Sequence, residues 1–156
     1  MGLDMTLSKK TYVKQWEHKG EDNFNVEVTK KGEPVQHIKR ERISYVVEEV
    51  GYWRKANQIH NWFVNNVQNG EDNCGEYHVY EEQLEELLGL CKQVLTNNEL
   101  AKELLPSQSG FFFGGTEYDE WYFKNLEETI EIIETLLSER NEDGYLDGNI
   151  YYQSSW

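Results

Sequence analysis

Hydrophobic and polar residues alternate in the first third of the chain, as they do in strands with one buried face. Segments 3–8 and 24–29 both alternate in this way, and the β-branched and aromatic run 43–47 is typical of a returning strand. Segment 30–34 combines glycine and proline as turns do. We therefore expect two strands before this turn and one after it, with 48–52 either extending the last strand or beginning a helix.

From Tyr52 onward the apolar residues recur every three or four positions, which is the spacing of one helical face. This spacing predicts four helices, and two extended pieces accompany them. In chain order they are a helix over 53–67, an extended piece at 77–79, a helix carrying Leu84 to Leu95, a short helix over 97–104, a long helix with either Trp121 or Tyr122 and then Leu126 to Leu137 on its buried face, and a strand over 150–152. Thr96 with Glu99, and Thr116 with Asp119, have the spacing of capping boxes before the last two helices.

Early strands, later helices and a closing strand favour an α+β fold. We expect a small antiparallel sheet from the N-terminal third, with the C-terminal strand as a candidate further member, packed on one face against three or four helices. The length suits one domain and no linker or repeat divides the chain, so we expect a single domain over 1–156.

The net charge is strongly negative and unevenly distributed. Fifteen Lys and Arg stand against 29 Asp and Glu, a formal charge of −14. A general nucleic-acid binder needs an excess of basic residues to neutralise phosphates, so this class is excluded. Residues 1–60 carry a net charge of +2 and residues 61–156 carry −16. The longest predicted helix presents an acidic outer face, made of Glu127, Glu128, Glu131, Glu134 and Glu139.

No apolar run is long enough to cross a membrane, and the first residues lack the pattern of a signal peptide. We therefore expect a soluble cytoplasmic protein that does not enter a membrane. Cys74 and Cys91 are too few for a disulfide framework, so we expect reduced thiols.

The clearest candidate site is a run of donors and aromatic side chains on the first predicted helix. Its members are Trp53, Arg54, Lys55, Asn57 and His60. The functional interpretation is an anion site, in which Arg54 and Lys55 hold a phosphate and a ring stacks on an aromatic neighbour. The structural alternative is that these two cations pair with the glutamates at 48–49 or with the acidic helices.

Segment 109–115 holds three consecutive phenylalanines between glycines. Neighbouring side chains of a strand leave on opposite faces, so at least one phenylalanine needs a second apolar surface. Core packing and the wall of a binding site are both open interpretations. In the second, Phe111, Phe112, Gly114 and Tyr118 join the candidate ligand site, with Gly115 and Trp156 as further members.

Catalytic and metal chemistry have weaker support in the sequence. A nucleophilic hydrolase would need Cys74 activated by His60 or His78, and no acylating-enzyme motif surrounds this cysteine. Four zinc ligands at accepted spacings are not present. We therefore expect no metal and no cofactor, and we favour a protein that is not an enzyme.

Several specific motifs lie along the whole chain. They are GLDM at 2–5, EVGYWRKAN at 49–57 followed by HNWFV at 60–64, CGEY at 74–77, GFFFG at 110–114, YDEWY at 118–122 and YYQSSW at 151–156. In these motifs the chain resembles a family of small phage and prophage proteins without an assigned activity. The resemblance implies a phage origin and action in the host cytoplasm, but no established function.

Two functions from different classes follow. The first is a non-enzymatic phage accessory protein that binds a small anionic, nucleotide-like ligand and thereby sequesters a host immune signal. The second is an acidic protein-interaction or DNA-mimicking inhibitor, whose carboxylates over 127–139 occupy a basic groove of a host protein. The partner is then a small anion or a host protein, and self-association into a homo-oligomer is open.

Overall fold

Residues 2–156, which the computed structural model describes, form six strands, four α-helices and three short 3-10 helices. The strands are β1 (Asp4–Tyr12), β2 (Thr29–Lys30), β3 (Glu33–Pro34), β4 (Tyr45–Arg54), β5 (Tyr77–Val79) and β6 (Asn149–Ser155). The α-helices are α1 (Asn57–Asn66), α2 (Glu81–Thr96), α3 (Ala101–Leu104) and α4 (Glu120–Ser138). The 3-10 helices are Glu17–Asp22, Arg40–Arg42 and Asn98–Leu100.

Four strands form an antiparallel sheet in the order β4-β1-β6-β5. β1 lies inside the sheet because its alternating pattern buries Met5 and Leu7 on one face while Thr6 and Ser8 face the other. The C-terminal strand β6 joins the sheet between β1 and β5. The predicted α+β fold, with a sheet packed against helices, is confirmed.

β4 is longer than the sequence pattern indicated. It pairs with β1 from Tyr45 opposite Tyr12 to Arg54 opposite Asp4, with one irregularity between Leu7 and Ser8. Residues 48–52 therefore extend the strand, and the alternative that they begin a helix is wrong. The predicted helix over 53–67 begins only at Asn57, because the preceding residues are held in the sheet.

The strand predicted over 24–29 is wrong. Residues 24–28 are irregular, and Phe24 and Val28 are exposed. The predicted turn at 30–34 is present as the loop of the small hairpin between β2 and β3, where Lys31 and Gly32 both take positive φ.

The helices pack on one face of the sheet and enclose a core to which all four contribute. α2 buries Leu84, Leu87, Cys91 and Val94, as the helical spacing indicated. α4 buries Leu126, Thr129, Ile133 and Leu136.

Both predicted capping boxes are wrong in detail. The Asp119 carboxylate itself caps α4 by accepting hydrogen bonds from the backbone N–H groups of Trp121 and Tyr122. The Asn97 side chain, and not that of Thr96, accepts from the N–H of Glu99.

No helix in residues 2–156 combines the length and the apolar character that crossing a bilayer requires.

Candidate functional site

The end of β4 and the first turns of α4 enclose a cleft. Its cavity measures about 300 Å³, and its walls include Arg54, Lys55, Asn57, Gly114, Trp121 and Asn125. A second cavity of about 370 Å³ shares Arg54, Trp121 and Asn125 and adds Trp53 and Lys124. The two cavities are therefore neighbouring halves of one cleft, to which the sheet, α4 and the 108–115 loop all contribute.

The cleft contains three basic side chains that form no ion pair within residues 2–156. They are Arg54, Lys55 and Lys124. The alternative prediction, that Arg54 and Lys55 pair with nearby glutamates, is therefore wrong. Glu48 pairs instead with Lys9, at 3.4 Å.

Trp121 provides a flat apolar surface beside these cations. Its side chain is 63% exposed, whereas its neighbour Tyr122 is buried and donates a hydrogen bond to the carbonyl of Leu105 at 2.6 Å. The Lys124 ammonium lies 5.3 Å from the centre of the Trp121 indole. An exposed indole between cations is a surface on which a planar anionic molecule can stack.

Three carboxylates, Glu117, Asp119 and Glu128, also lie on the wall of the cleft. Asp119 is engaged as the cap of α4, while Glu117 makes no ion pair within residues 2–156. The cleft therefore has a mixed charge, with cations on the β4 side and along α4.

Asn57 builds the cleft wall through its side-chain amide. Its Nδ2 donates to the carbonyl of Phe113 at 3.1 Å and to that of Gly115 at 2.9 Å, while its Oδ1 accepts from the N–H of Gln108 at 2.9 Å. All three bonds hold the 108–115 loop against the start of α1. The amide is thus already satisfied by protein groups.

Gly114 lets this loop approach the end of β4. It has a φ of 90°, and a Cβ added there would lie 3.1 Å from the Cβ of Lys55. Lys55 itself has a φ of 58°, an unusual conformation for a residue with a side chain. Lys55 and Gly114 are therefore in direct contact, and Arg54 lines the same cavity.

Trp53 lies behind the main cleft, where its indole is almost fully buried. Its Nε1 donates to the Thr129 hydroxyl at 2.9 Å. Of the two cavities, only the one of about 370 Å³ is lined by Trp53. Trp53 therefore supports the wall through packing and through its bond to α4.

His60 is not brought to this cleft. Its ring is fully buried, with Nδ1 2.7 Å from the Tyr152 hydroxyl and Nε2 3.0 Å from the Asp72 carboxylate. A carboxylate only accepts, so Nε2 donates to Asp72, and in the neutral imidazole Nδ1 then accepts from the Tyr152 hydroxyl. Burial raises the pKa of Tyr152 well above its usual range, which keeps this phenol a donor. Trp156 completes the network by donating from Nε1 to Asp72 at 3.0 Å.

The three consecutive phenylalanines have different environments. Phe113 is in the core and meets the His60 ring edge-on, with centroids 5.3 Å apart. Phe111 is 81% exposed and lies edge-on to Phe112, which is also exposed and has a φ of 66°. Neither Phe111 nor Phe112 lines the cleft. Within residues 2–156, Phe111 and Phe112 do not have the second apolar surface that the sequence pattern predicts for them.

Tyr118 stands beside the cleft without lining it. It is half-buried, packs against Tyr122 with ring centroids 4.9 Å apart, and accepts a hydrogen bond from the N–H of Ser107 at 3.2 Å. Its hydroxyl therefore holds the chain segment that leads into the 108–115 loop.

Cys74 is half-buried in a loop and has a φ of 58°. Within the described residues, no hydrogen bond connects its sulfur to an imidazole, and both ring nitrogens of His60 are engaged elsewhere. No group of three His, Cys, Asp or Glu side chains suited to a metal ion occurs in residues 2–156.

Sequence reasoning missed Trp121, Lys124 and Asn125 as members of the site. The helical period allows either Trp121 or Tyr122 on the buried face of α4, so it does not show which of the two faces solvent. Lys124 had one available signal, since it is one of only four basic residues between positions 61 and 156.

Comparison with protein-family models, with curated proteins and with solved structures gives no match to this chain.

Proposed function

We propose that the cleft between β4 and α4 binds a small anionic ligand that carries a planar ring, as a nucleotide does. One observation carries the proposal: Arg54, Lys55 and Lys124 are unpaired within residues 2–156 and line the same cleft as the exposed indole of Trp121, in a protein of net charge −14. These three cations keep their charge available to an external anion, although Glu117, Asp119 and Glu128 line the same cleft.

Each side chain has a defined task in this proposal. The Arg54 guanidinium offers paired N–H donors to a phosphate, and Lys55 and Lys124 add point charges on either side of it. Trp121 stacks on the ring, an interaction that contributes about 1–3 kcal/mol for a nucleobase. The cavity of about 300 Å³ falls at the lower end of small-molecule sites.

We propose binding without chemical conversion. The imidazole of His60 and the thiol of Cys74 lie outside the cleft lining, and the Asp119 carboxylate is engaged in capping α4. The resemblance to phage proteins favours a nucleotide signal of the infected host as the ligand, which binding would sequester.

The alternative function, an inhibitor that binds a host protein through the acidic outer face of α4, has weaker support than ligand binding. Glu134 pairs with Lys92 at 2.6 Å and Glu139 with Lys9 at 3.3 Å. Two of the five carboxylates expected to form a continuous acidic surface are thus compensated within the chain.

The test is calorimetric titration of the purified protein with cyclic dinucleotides, cyclic trinucleotides and ADP-ribose-type compounds. At least one compound should bind, and Arg54→Ala and Trp121→Ala should each weaken binding at least about tenfold, equivalent to about 1.4 kcal/mol. Lys92→Ala is the matched control, because it removes one positive charge far along α2 and should bind like the wild type. Absence of binding across the panel would reject the function. Undiminished binding by Arg54→Ala would reject the site.

A further inference from the structure

Three side chains lie where the two cavities of the cleft meet. Arg54, Trp121 and Asn125 line both the cavity of about 300 Å³ and the cavity of about 370 Å³. Within residues 2–156, neither the Arg54 guanidinium nor the Asn125 carboxamide makes a side-chain hydrogen bond. The centre of the cleft therefore has free N–H donors from both side chains.

The two cavities repeat the same pair of side chains on either side of this centre. Lys55 and Glu117 line only the first cavity, and Lys124 and Glu128 line only the second. Neither glutamate forms an ion pair within residues 2–156. Each cavity therefore offers one free ammonium group and one free carboxylate.

The course of the chain separates the two carboxylates. Glu128 lies about two turns after Trp121 in α4, which corresponds to about 10 Å along the helix axis. Glu117 precedes Asp119, the residue that caps α4. The carboxylates of Glu117 and Glu128 therefore lie towards opposite ends of the cleft, with Trp121 between them.

Both cavities also have an exposed aromatic side chain. The indole of Trp121 is 63% exposed and lines both cavities, whereas Tyr52 is 47% exposed and lines only the second. The Tyr52 hydroxyl donates to the carboxylate of Asp4, and this hydrogen bond holds the ring in place. A ligand with two planar rings therefore has an aromatic surface for each ring.

The two carboxylates restrict which planar ring fits. A carboxylate only accepts hydrogen bonds and repels a phosphate, so in an anion site it needs a ligand edge with N–H donors. Guanine places two such donors side by side, N1–H and the 2-amino group, and these match the two oxygens of one carboxylate. Adenine and uracil each place an acceptor next to their donor. Glu117 and Glu128 therefore favour guanine.

We propose that the cleft binds a dinucleotide with two guanine bases, one in each cavity, and that Glu117 and Glu128 select these bases. The proposal rests on the proposed function, because it assigns the ligand class of the same cleft. The guanidinium of Arg54 binds phosphate where the cavities meet, with one lysine on either side. A ligand with one ring and one phosphate would leave the lysine and the carboxylate of one cavity without a partner.

The experiment is calorimetric titration of the full chain with cyclic di-GMP, linear pGpG, GMP and cyclic di-AMP. At least one of the two guanine dinucleotides should bind as one molecule per chain and at least about 100-fold more tightly than GMP, because linking two units makes the second contact intramolecular. Cyclic di-GMP should bind at least about tenfold more tightly than cyclic di-AMP.

Glu117→Gln and Glu128→Gln test the carboxylates, because the sign of the effect distinguishes two roles. If the carboxylates accept from guanine, each variant should bind the guanine dinucleotide at least about tenfold more weakly. If they only repel the phosphates, each variant would bind more tightly, and the proposal would be wrong. Glu131→Gln is the matched control, since Glu131 is exposed on α4 outside the cleft lining and should bind like the wild type.

GMP separates this proposal from the proposed function. Binding of GMP as tightly as the dinucleotides, with two molecules per chain, would overturn the dinucleotide and leave the cleft as a site for a ring-bearing anion. Absence of binding by both guanine dinucleotides would also overturn the proposal. The function would then stand only if another compound of the wider panel binds and Arg54→Ala weakens that binding.

Discussion

Trp53 Nε1 donates a 2.9 Å hydrogen bond to the hydroxyl of Thr129, and both side chains are buried. The same hydroxyl donates to the carbonyl of Asn125 at 2.7 Å. This contact joins β4 to the middle of α4. It thereby sets the distance between Arg54, which follows Trp53, and Trp121, which lies about two turns before Thr129.

Thr129→Val should destabilise the protein although the side-chain shape is kept. The substitution leaves the buried Trp53 N–H without an acceptor, which costs about 1–3 kcal/mol. The measurement is the free energy of unfolding in urea. Thr135→Val on the exposed face of α4 is the control, with an expected change within about 0.5 kcal/mol. Equal effects of the two substitutions would contradict the assigned role of this hydrogen bond.

Asn57→Ala should loosen the 108–115 loop as well as destabilise the fold. It leaves two carbonyls and one N–H without their partner, and the expected loss is about 1–3 kcal/mol. Hydrogen exchange and limited proteolysis should show faster opening at 108–115. Asn65→Ala, in the same helix, removes only an exposed contact with Asn61 and should leave the loop protected. Unchanged protection in Asn57→Ala would show that other contacts hold the loop.

Gly51→Ala should reveal how closely α4 approaches β4. A Cβ at this position would lie 2.6 Å from the Ile132 Cγ2 atom, so the substitution overpacks the interface and should cost about 1–3 kcal/mol. Ile132→Ala removes the obstructing methyl group. In a double-mutant cycle, Gly51→Ala should therefore cost less when combined with Ile132→Ala than alone. Simple additivity of the two effects would rule out this contact as the cause.

The stability should decline in alkaline solution. Burial raises the pKa of Cys91 from 9.0 to about 12. Above pH 9.0 the unfolded chain loses this proton while the folded chain keeps it, so the free energy of unfolding falls by up to about 1.4 kcal/mol per pH unit for this group. Tyr122 and Tyr152, whose pKa values burial also raises, act in the same direction above pH 10.0.

Cys91→Ala isolates the contribution of the thiol. Its unfolding free energy, measured in urea from pH 9.0 towards pH 12, should fall less steeply than that of the wild type. Parallel profiles would show that the thiol does not contribute to the alkaline loss.

Regular local patterns explain the elements that the sequence predicted well. α2 and α4 each repeat an apolar period long enough to define one buried face, and the structure places them close to the expected ranges, whereas β1 and β6 extend beyond the predicted segments 3–8 and 150–152. The failure at 24–29 has a physical reason: alternation describes a strand only where another strand pairs with it. At 48–52 the strand and helix periods both fit, and pairing with β1 decides for the strand.

The candidate site was only partly predictable, since its halves are far apart in the sequence. Arg54 and Lys55 were identifiable as cations in an acidic chain, and Gly114 as a residue that allows close approach. Asn57 and His60 lie off the apolar stripe of α1, yet both are buried, because polar groups from the loop and from β6 satisfy them.

The α+β class, the helical and extended periods and the separation of charge between the two parts of the chain follow from the sequence, because they depend on neighbours along the chain. Three features follow only from the folded structure: β4 continues to Arg54, Trp121 rather than Tyr122 faces solvent, and Lys124 joins Arg54 and Lys55. These outcomes depend on strand pairing and on the packing of α4 against the sheet. Such contacts join residues about 70 positions apart, and a local hydrophobic period cannot predict them.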